Sequence, residues 1–169
     1  MLATLFAAPA FAQAPSAASN PAINGTQMAW GLMTRYFTAA AEQMPESDYG
    51  YKPVPTVRSF GEMVGHVAGA QYMFCAAVLG EPQKSEDDIE KSAKTKAALV
   101  AALKASNEYC ARAYQLSDAA TAAQIKLFGR DQSKAFALSL NATHVGEHYG
   151  NLVTYMRMKG MVPPSSQGQ

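Results

Sequence analysis

Apolar residues recur every three or four positions in four stretches of this 169-residue chain, and between the stretches the pattern breaks on glycine or proline. In the first, Trp30, Met33, Phe37, Ala41 and Met44 share one face of a helix predicted over residues 26–44. Pro45 ends it, because a proline pushes the residue before it out of helical geometry. The second opens at Ser59-Phe60-Gly61-Glu62, where the serine and glutamate side chains can each accept from the other's free backbone N–H. Its stripe of Phe60, Val64, Val67, Gln71, Phe74 and Val78 runs to Leu79 and stops at Gly80 and Pro82. The third starts at Thr95 and carries Leu99, Leu103, Ser106, Cys110 and Ala113. The fourth is capped by Ser133, reaches about Lys159 and ends at Gly160, with Pro163-Pro164 forbidding continuation.

The connections are an extended segment over 48–57, a polar and initially acidic stretch over 81–94 with room for one helical turn, and a longer link over 117–132 with a turn at Gly129-Arg130-Asp131. No stretch alternates strongly enough to predict a strand. Four helices without strands predict an all-α fold, a four-helix bundle.

Composition fits that fold: 49% of residues are hydrophobic, enough in a chain of this length for one well-packed domain. The net charge of +1, with no basic stripe, removes nucleic acid as a partner. The first twenty residues carry no charge, and an apolar run over 2–11 leads into Ala10-Phe11-Ala12, a small-x-small cleavage pattern. The run is too short to span a bilayer. It reads as a signal peptide over 1–12, with its positive start missing, and places the protein in the periplasm or outside the cell. The alternative is an Ala/Pro-rich tail on a cytosolic protein. A flexible lead over 13–23, the bundle over 24–164 and a tail over 165–169 complete the expected organisation. Small residues repeat every four positions at Gly61, Gly65, Gly69 and at Ala142, Gly146, Gly150. They read as close helix packing, since neither helix is apolar enough for stable membrane insertion.

The cysteines bear on topology. Cys75 lies sixteen residues beyond Ser59, and Cys110 fifteen beyond Thr95. Their heights match only if the second and third long helices run parallel; antiparallel helices would separate them by roughly 20 Å, at about 1.5 Å per residue. Residues 80–94 can span about 45 Å extended, enough to return along a helix of about 30 Å. A Cys75–Cys110 disulfide and an up-down-down-up course therefore support each other. Two buried free thiols are the alternative.

All three histidines fall at compatible heights. His144 and His148 stand four apart on one helical face, and His66 sits mid-way along the second helix. Three neutral imidazoles with an open position form the donor set of a catalytic metal site, whereas histidines on apolar faces are otherwise hydrogen-bonded core residues. His144-Val145-Gly146-Glu147-His148 also matches the H-x-x-E-H pattern of one zinc-protease class, but that class needs an acidic ligand downstream and no Asp or Glu follows Glu147. Glu147 remains a candidate base or ligand-orienting carboxylate, against a solvent-facing alternative. Glu62 belongs to the capping box, and Tyr72, Tyr149 and Tyr155 read as core.

At these residues the chain resembles a known family. Ser59-Phe60-Gly61-Glu62-Met63-Val64-Gly65-His66, followed by Asn141-Ala142-Thr143-His144-Val145-Gly146-Glu147-His148-Tyr149-Gly150-Asn151 and by Val162-Pro163-Pro164-Ser165-Ser166, resembles the DinB-like (DinB/YfiT) superfamily, its exported branch in particular. The resemblance covers residues 24–164. It implies an up-down-down-up bundle, often a homodimer, with a divalent metal, nickel or zinc, on the positions matching His66, His144 and His148. Some characterised members are metal-dependent transferases acting with low-molecular-weight thiols, and export departs from those cytosolic enzymes. The expected function is a metal-dependent hydrolase or transferase acting on a small molecule. The rival is a bundle that holds a metal or ligand without turnover.

Overall fold

The structure, a computed structural model, describes residues 20–82 and 84–168. The expected signal peptide over 1–12, and the lead as far as residue 19, lie outside the described residues. Four long helices carry the fold: α1 (Pro21–Gln43), α2 (Phe60–Leu79), α4 (Lys96–Ala113) and α6 (Lys134–Met158). Two short helices, α3 (Asp87–Ser92) and α5 (Asp118–Thr121), lie in the connections.

The predicted ends hold where the signal is local. Ser59 and Glu62 form the complete capping box of α2. The Thr95 and Ser133 side chains accept the backbone N–H groups of Ala98 and Phe136. Gly80 and Gly160 take the left-handed conformation that ends a helix, at φ 72° and 73°. Two expectations change. Helix α1 opens at Pro21 rather than at 26, because its free N–H groups at Ala22 and Ile23 are capped from across the chain by the Asp118 carboxylate, at 3.1 and 2.8 Å. The 117–132 link is not strand-free: β1 (Gln124–Leu127) and β2 (Arg130–Ser133) pair antiparallel, with Leu127 opposite Arg130, so the turn is Phe128-Gly129 rather than Gly129-Arg130-Asp131.

Contacts along the seams fix the helix directions. Going down α2, Gly61 faces Leu99, Gln71 faces Ser106, and Cys75 is bonded to Cys110, so α2 and α4 run parallel. The Cα atoms of the two cysteines are 5.3 Å apart, and the disulfide reading holds over the free-thiol one. Tyr155 contacts Arg58 while Asn141 reaches Cys75, so α6 is antiparallel to α2. Thr38 meets Asn107 and Glu42 meets Lys104, so α1 opposes α4. The course is up-down-down-up, as the resemblance implied.

Between the helices lie fully buried Phe37, Phe60, Val64, Val67, Leu103, Leu138, Leu152 and Met156. Trp30 stacks on Tyr114 at 4.4 Å. Fully buried Gln71 accepts from the Trp30 indole at 2.8 Å and donates to Ser106 and Asn107 at 2.9 and 2.7 Å, tying α1, α2 and α4 together. The small-residue row on α2 receives the returning connection. A Cβ on Gly65 would come within 2.8 Å of the Glu90 Cα, and one on Gly69 would overlap the Glu86 carbonyl. Only glycine there lets α3 lie flat on α2 and bring Glu90 beside His66.

Candidate metal centre

The α2–α6 antiparallel seam places the middle of one helix against the middle of the other, and the three histidines meet there. The Nε2 of His144 lies 3.1 Å from that of His66 and 3.0 Å from that of His148, and one donor atom from each ring falls within 4.8 Å of the others. Among the described residues no other group of three or more His, Cys, Asp or Glu side chains comes together in this way.

The electrostatics keep the rings neutral. Burial, with the charges of Arg58 and His148 added, pushes His66 from 6.5 down to about 4. Burial and the two neighbouring histidines push His144 to about 3. His148 is lowered too, by burial and by Arg58, against an opposing pull from the Glu147 charge. At neutral pH each ring has one N–H and one lone pair. An N–H on one Nε2 can serve only one acceptor and a lone pair only one donor in line with it, so the His144 Nε2, at about 3 Å from both of the others, cannot satisfy the two at once. A cation accepted by three lone pairs resolves that crowding. Two nitrogens about 2.1 Å from one ion and at right angles stand roughly 3.0 Å apart, which is the spacing observed. The donor set fits a divalent metal.

Behind the donors the support is uneven. With Nε2 free, each Nδ1 carries the proton, and those of His66 and His144 are buried without a hydrogen-bond partner. The Glu90 carboxylate stands 3.9 Å from the His66 Nδ1, on its proton side. The Asn151 side-chain amide nitrogen lies 3.3 Å from the His148 Nδ1; turned over by 180°, the same amide would present its oxygen to a proton there.

His148 also borders an open cleft of about 570 Å³, lined by Lys52, Arg58, Glu62, Glu90 and Asn151 among others. A smaller cavity of about 300 Å³ shares Glu62 and Glu90 but contains no histidine.

Of the predicted site residues, the structure brings together His66, His144 and His148. Glu147 is exposed, with no hydrogen bond or ion pair among the described residues, and reaches the site only through its charge on His148. Glu62 caps α2 and pairs with Lys52, which holds its carboxyl at about 2, the Ser59 N–H being the main cause. Tyr149 and Tyr155 are buried, as expected of core residues; Tyr72 is half-buried against Tyr109. Sequence reasoning missed Arg58 and Glu90. Arg58 had one signal, its place immediately before the cap of the histidine-bearing helix.

Known proteins give the same frame. No functionally curated protein matches the chain. Among solved structures, a DinB-like protein from Bacillus cereus aligns at TM-score 0.73 and 15% identity, over 84% of this chain and 95% of that one. YfiT from Bacillus subtilis, described as a probable metal-dependent hydrolase with an unusual four-helix bundle topology, aligns at 0.66 and 14%, over 89% and 94%. A mycothiol-dependent maleylpyruvate isomerase aligns at 0.63 and 15%, over 77% of this chain and only 60% of its own. At such identities these structures speak to the fold alone. The sequence signature of the DinB superfamily matches residues 29–152, and the chain belongs to that superfamily.

Proposed function

We propose that this protein binds one divalent metal ion, nickel or zinc, on His66, His144 and His148, and that it is a metal-dependent hydrolase or transferase acting on a small molecule in the adjoining cleft. The observation that carries the reading is the convergence of three neutral imidazole Nε2 atoms, one of them on His148, which borders an open cleft. A divalent ion there supplies Lewis acidity, polarising a carbonyl or lowering the pKa of a water towards neutrality. The protein's part is to hold three lone pairs at one point on two rigid helices, and to keep them unprotonated at neutral pH. A metal-storing or structural site closes its coordination with a fourth side chain. The described residues offer three donors and a cleft instead, which favours turnover over storage. The description of YfiT as a probable metal-dependent hydrolase supports the same class. The Cys75–Cys110 bridge supports an exported protein, since such bonds persist in oxidising compartments.

The test is elemental analysis of protein purified without a nickel column, wild type against His148→Ala. About one metal per chain is expected in the wild type and well below a tenth of that in the variant, in line with the loss of one of three ligands. Full occupancy in His148→Ala would remove the proposed site.

A further inference from the structure

The cleft beside His148 has a hydrogen-bonding balance that its formal charge hides. Lys52 and Glu62 pair at 2.9 Å, and Arg58 and Glu90 at 3.1 Å, so the four charges cancel. The acceptors, however, are more fully used than the donors. Glu62 takes the Ser59 N–H at 2.7 Å as well as Lys52. Glu90 directs both oxygens at one atom, the Arg58 Nε, at 3.1 and 3.2 Å. The two terminal nitrogens of that guanidinium are left without a partner among the described residues. They form the planar pair that matches a carboxylate.

Arg58 is also held in place. Its carbonyl accepts from the buried Tyr155 hydroxyl at 2.9 Å, its Nε is fixed by Glu90, and the next residue is the cap of α2. Glu90 is fixed in turn by the seating of α3 on Gly65. An arginine so restrained loses little freedom on binding a ligand.

We propose that Arg58 is the substrate-binding residue of this cleft, and that it takes the carboxylate of a small acidic substrate, presenting the neighbouring functional group to the three histidines. The inference rests on the metal-site reading for what happens to that group, but the anion site itself does not need the metal. A carboxylate is favoured over a phosphate because Glu62 and Glu90 already neutralise Lys52 and Arg58, which leaves no surplus positive charge in the cleft to offset the second charge of a dianion.

Pyruvate, pyruvamide and inorganic phosphate serve as probes, titrated calorimetrically into apo protein and into protein loaded with cobalt(II). Pyruvate is expected to bind both forms, more tightly with cobalt, and pyruvamide to bind at least tenfold more weakly. Arg58→Gln should weaken pyruvate binding by roughly ten- to a hundredfold in both forms, the range for losing a charge-assisted pair, with Arg58→Lys in between. Unchanged melting curves and cobalt absorption in Arg58→Lys separate this from misfolding. Pyruvate binding that is absent, or equal in Arg58→Gln and wild type, overturns the proposal. Equal binding of pyruvamide, or tighter binding of phosphate, overturns the substrate class. Failure of the wild type to take up cobalt refutes the metal reading instead, and the apo titrations then still decide the role of Arg58.

Discussion

Gln71 and His66 lie five residues apart on α2 and both are buried, at 0% and 5% exposure. Around Gln71 every polar demand is met: the Trp30 indole, the Ser106 hydroxyl and the Asn107 amide each have a partner within 3 Å. Around His66 the reverse holds. Its Nδ1 and that of His144 have none, and three Nε2 atoms crowd one point. A satisfied buried network fixes one packing of the helices. Orphaned Nδ1 groups cost stability, whereas crowded Nε2 lone pairs are what a bound cation would relieve. The difference separates a structural polar cluster from the proposed metal site on the same helix.

The largest effect should come from breaking the satisfied cluster. Gln71→Ala leaves the Trp30 N–H and the Ser106 hydroxyl oxygen without their partners in the interior, and is expected to cost about 3 kcal/mol by urea unfolding of metal-free protein. His148→Ala, at the edge of an open cleft, should cost less than about 1 kcal/mol in the same assay, because water replaces what is lost. If the two variants lose equal stability, the histidines are part of the framework and the contrast fails.

Acid sharpens the contrast next. An ordinary histidine titrates near 6.5, but His66 and His144 in the folded protein resist protonation until about 4 and 3. Between those limits the unfolded chain binds protons that the folded one refuses, so stability rises with pH. It is complete above 6.5 and is lost progressively as pH falls from there towards about 4 for His66 and about 3 for His144. Glu62 acts in the same direction but only below its ordinary value of 4.5, towards about 2. Thermal melts of metal-free protein from pH 7 to 4.5 should therefore show a falling Tm. Gln71→Ala should keep that slope and His66→Gln should flatten it. An unchanged slope in His66→Gln would place the acid sensitivity elsewhere.

Both clusters were partly legible in the sequence, and for a common reason. Helix stripes, caps and the i,i+4 step of His144 and His148 are local, and the height argument for Cys75 and Cys110 extends them by one dimension. What could not be read was anything fixed by a distant chain segment. Asp118 caps α1 from 95 residues away at Ile23 and so moves its start. Glu90 sits on a six-residue helix with no stripe, and its meaning comes from the glycine row it lands on. The row itself was visible as a packing surface; its occupant was not.

The hairpin was missed for a chemical reason, and it carries the smallest effect. The two-residue turn joining β1 to β2 is of the kind with positive φ at both central positions, for which Asn-Gly is the usual signal. Here Phe128 takes φ 49° ahead of Gly129 at 75°, so the sequence carried half the signal and no alternating strand to support it. The left-handed backbone costs a phenylalanine about 1 kcal/mol. In return its ring, otherwise 65% exposed, meets Phe74 edge-on at 5.9 Å, a contact worth about 1 kcal/mol. The two nearly cancel. Phe128→Asn removes both and should change unfolding free energy by no more than about 0.5 kcal/mol. Phe74 in turn touches the His144 ring at 5.9 Å, so the variant also asks whether the hairpin reaches the metal centre. If Phe74 meets both rings without coupling the two regions, metal content stays at the wild-type level. A loss of more than 2 kcal/mol, or of metal, would join the hairpin to the histidine cluster and redraw the boundary between framework and site.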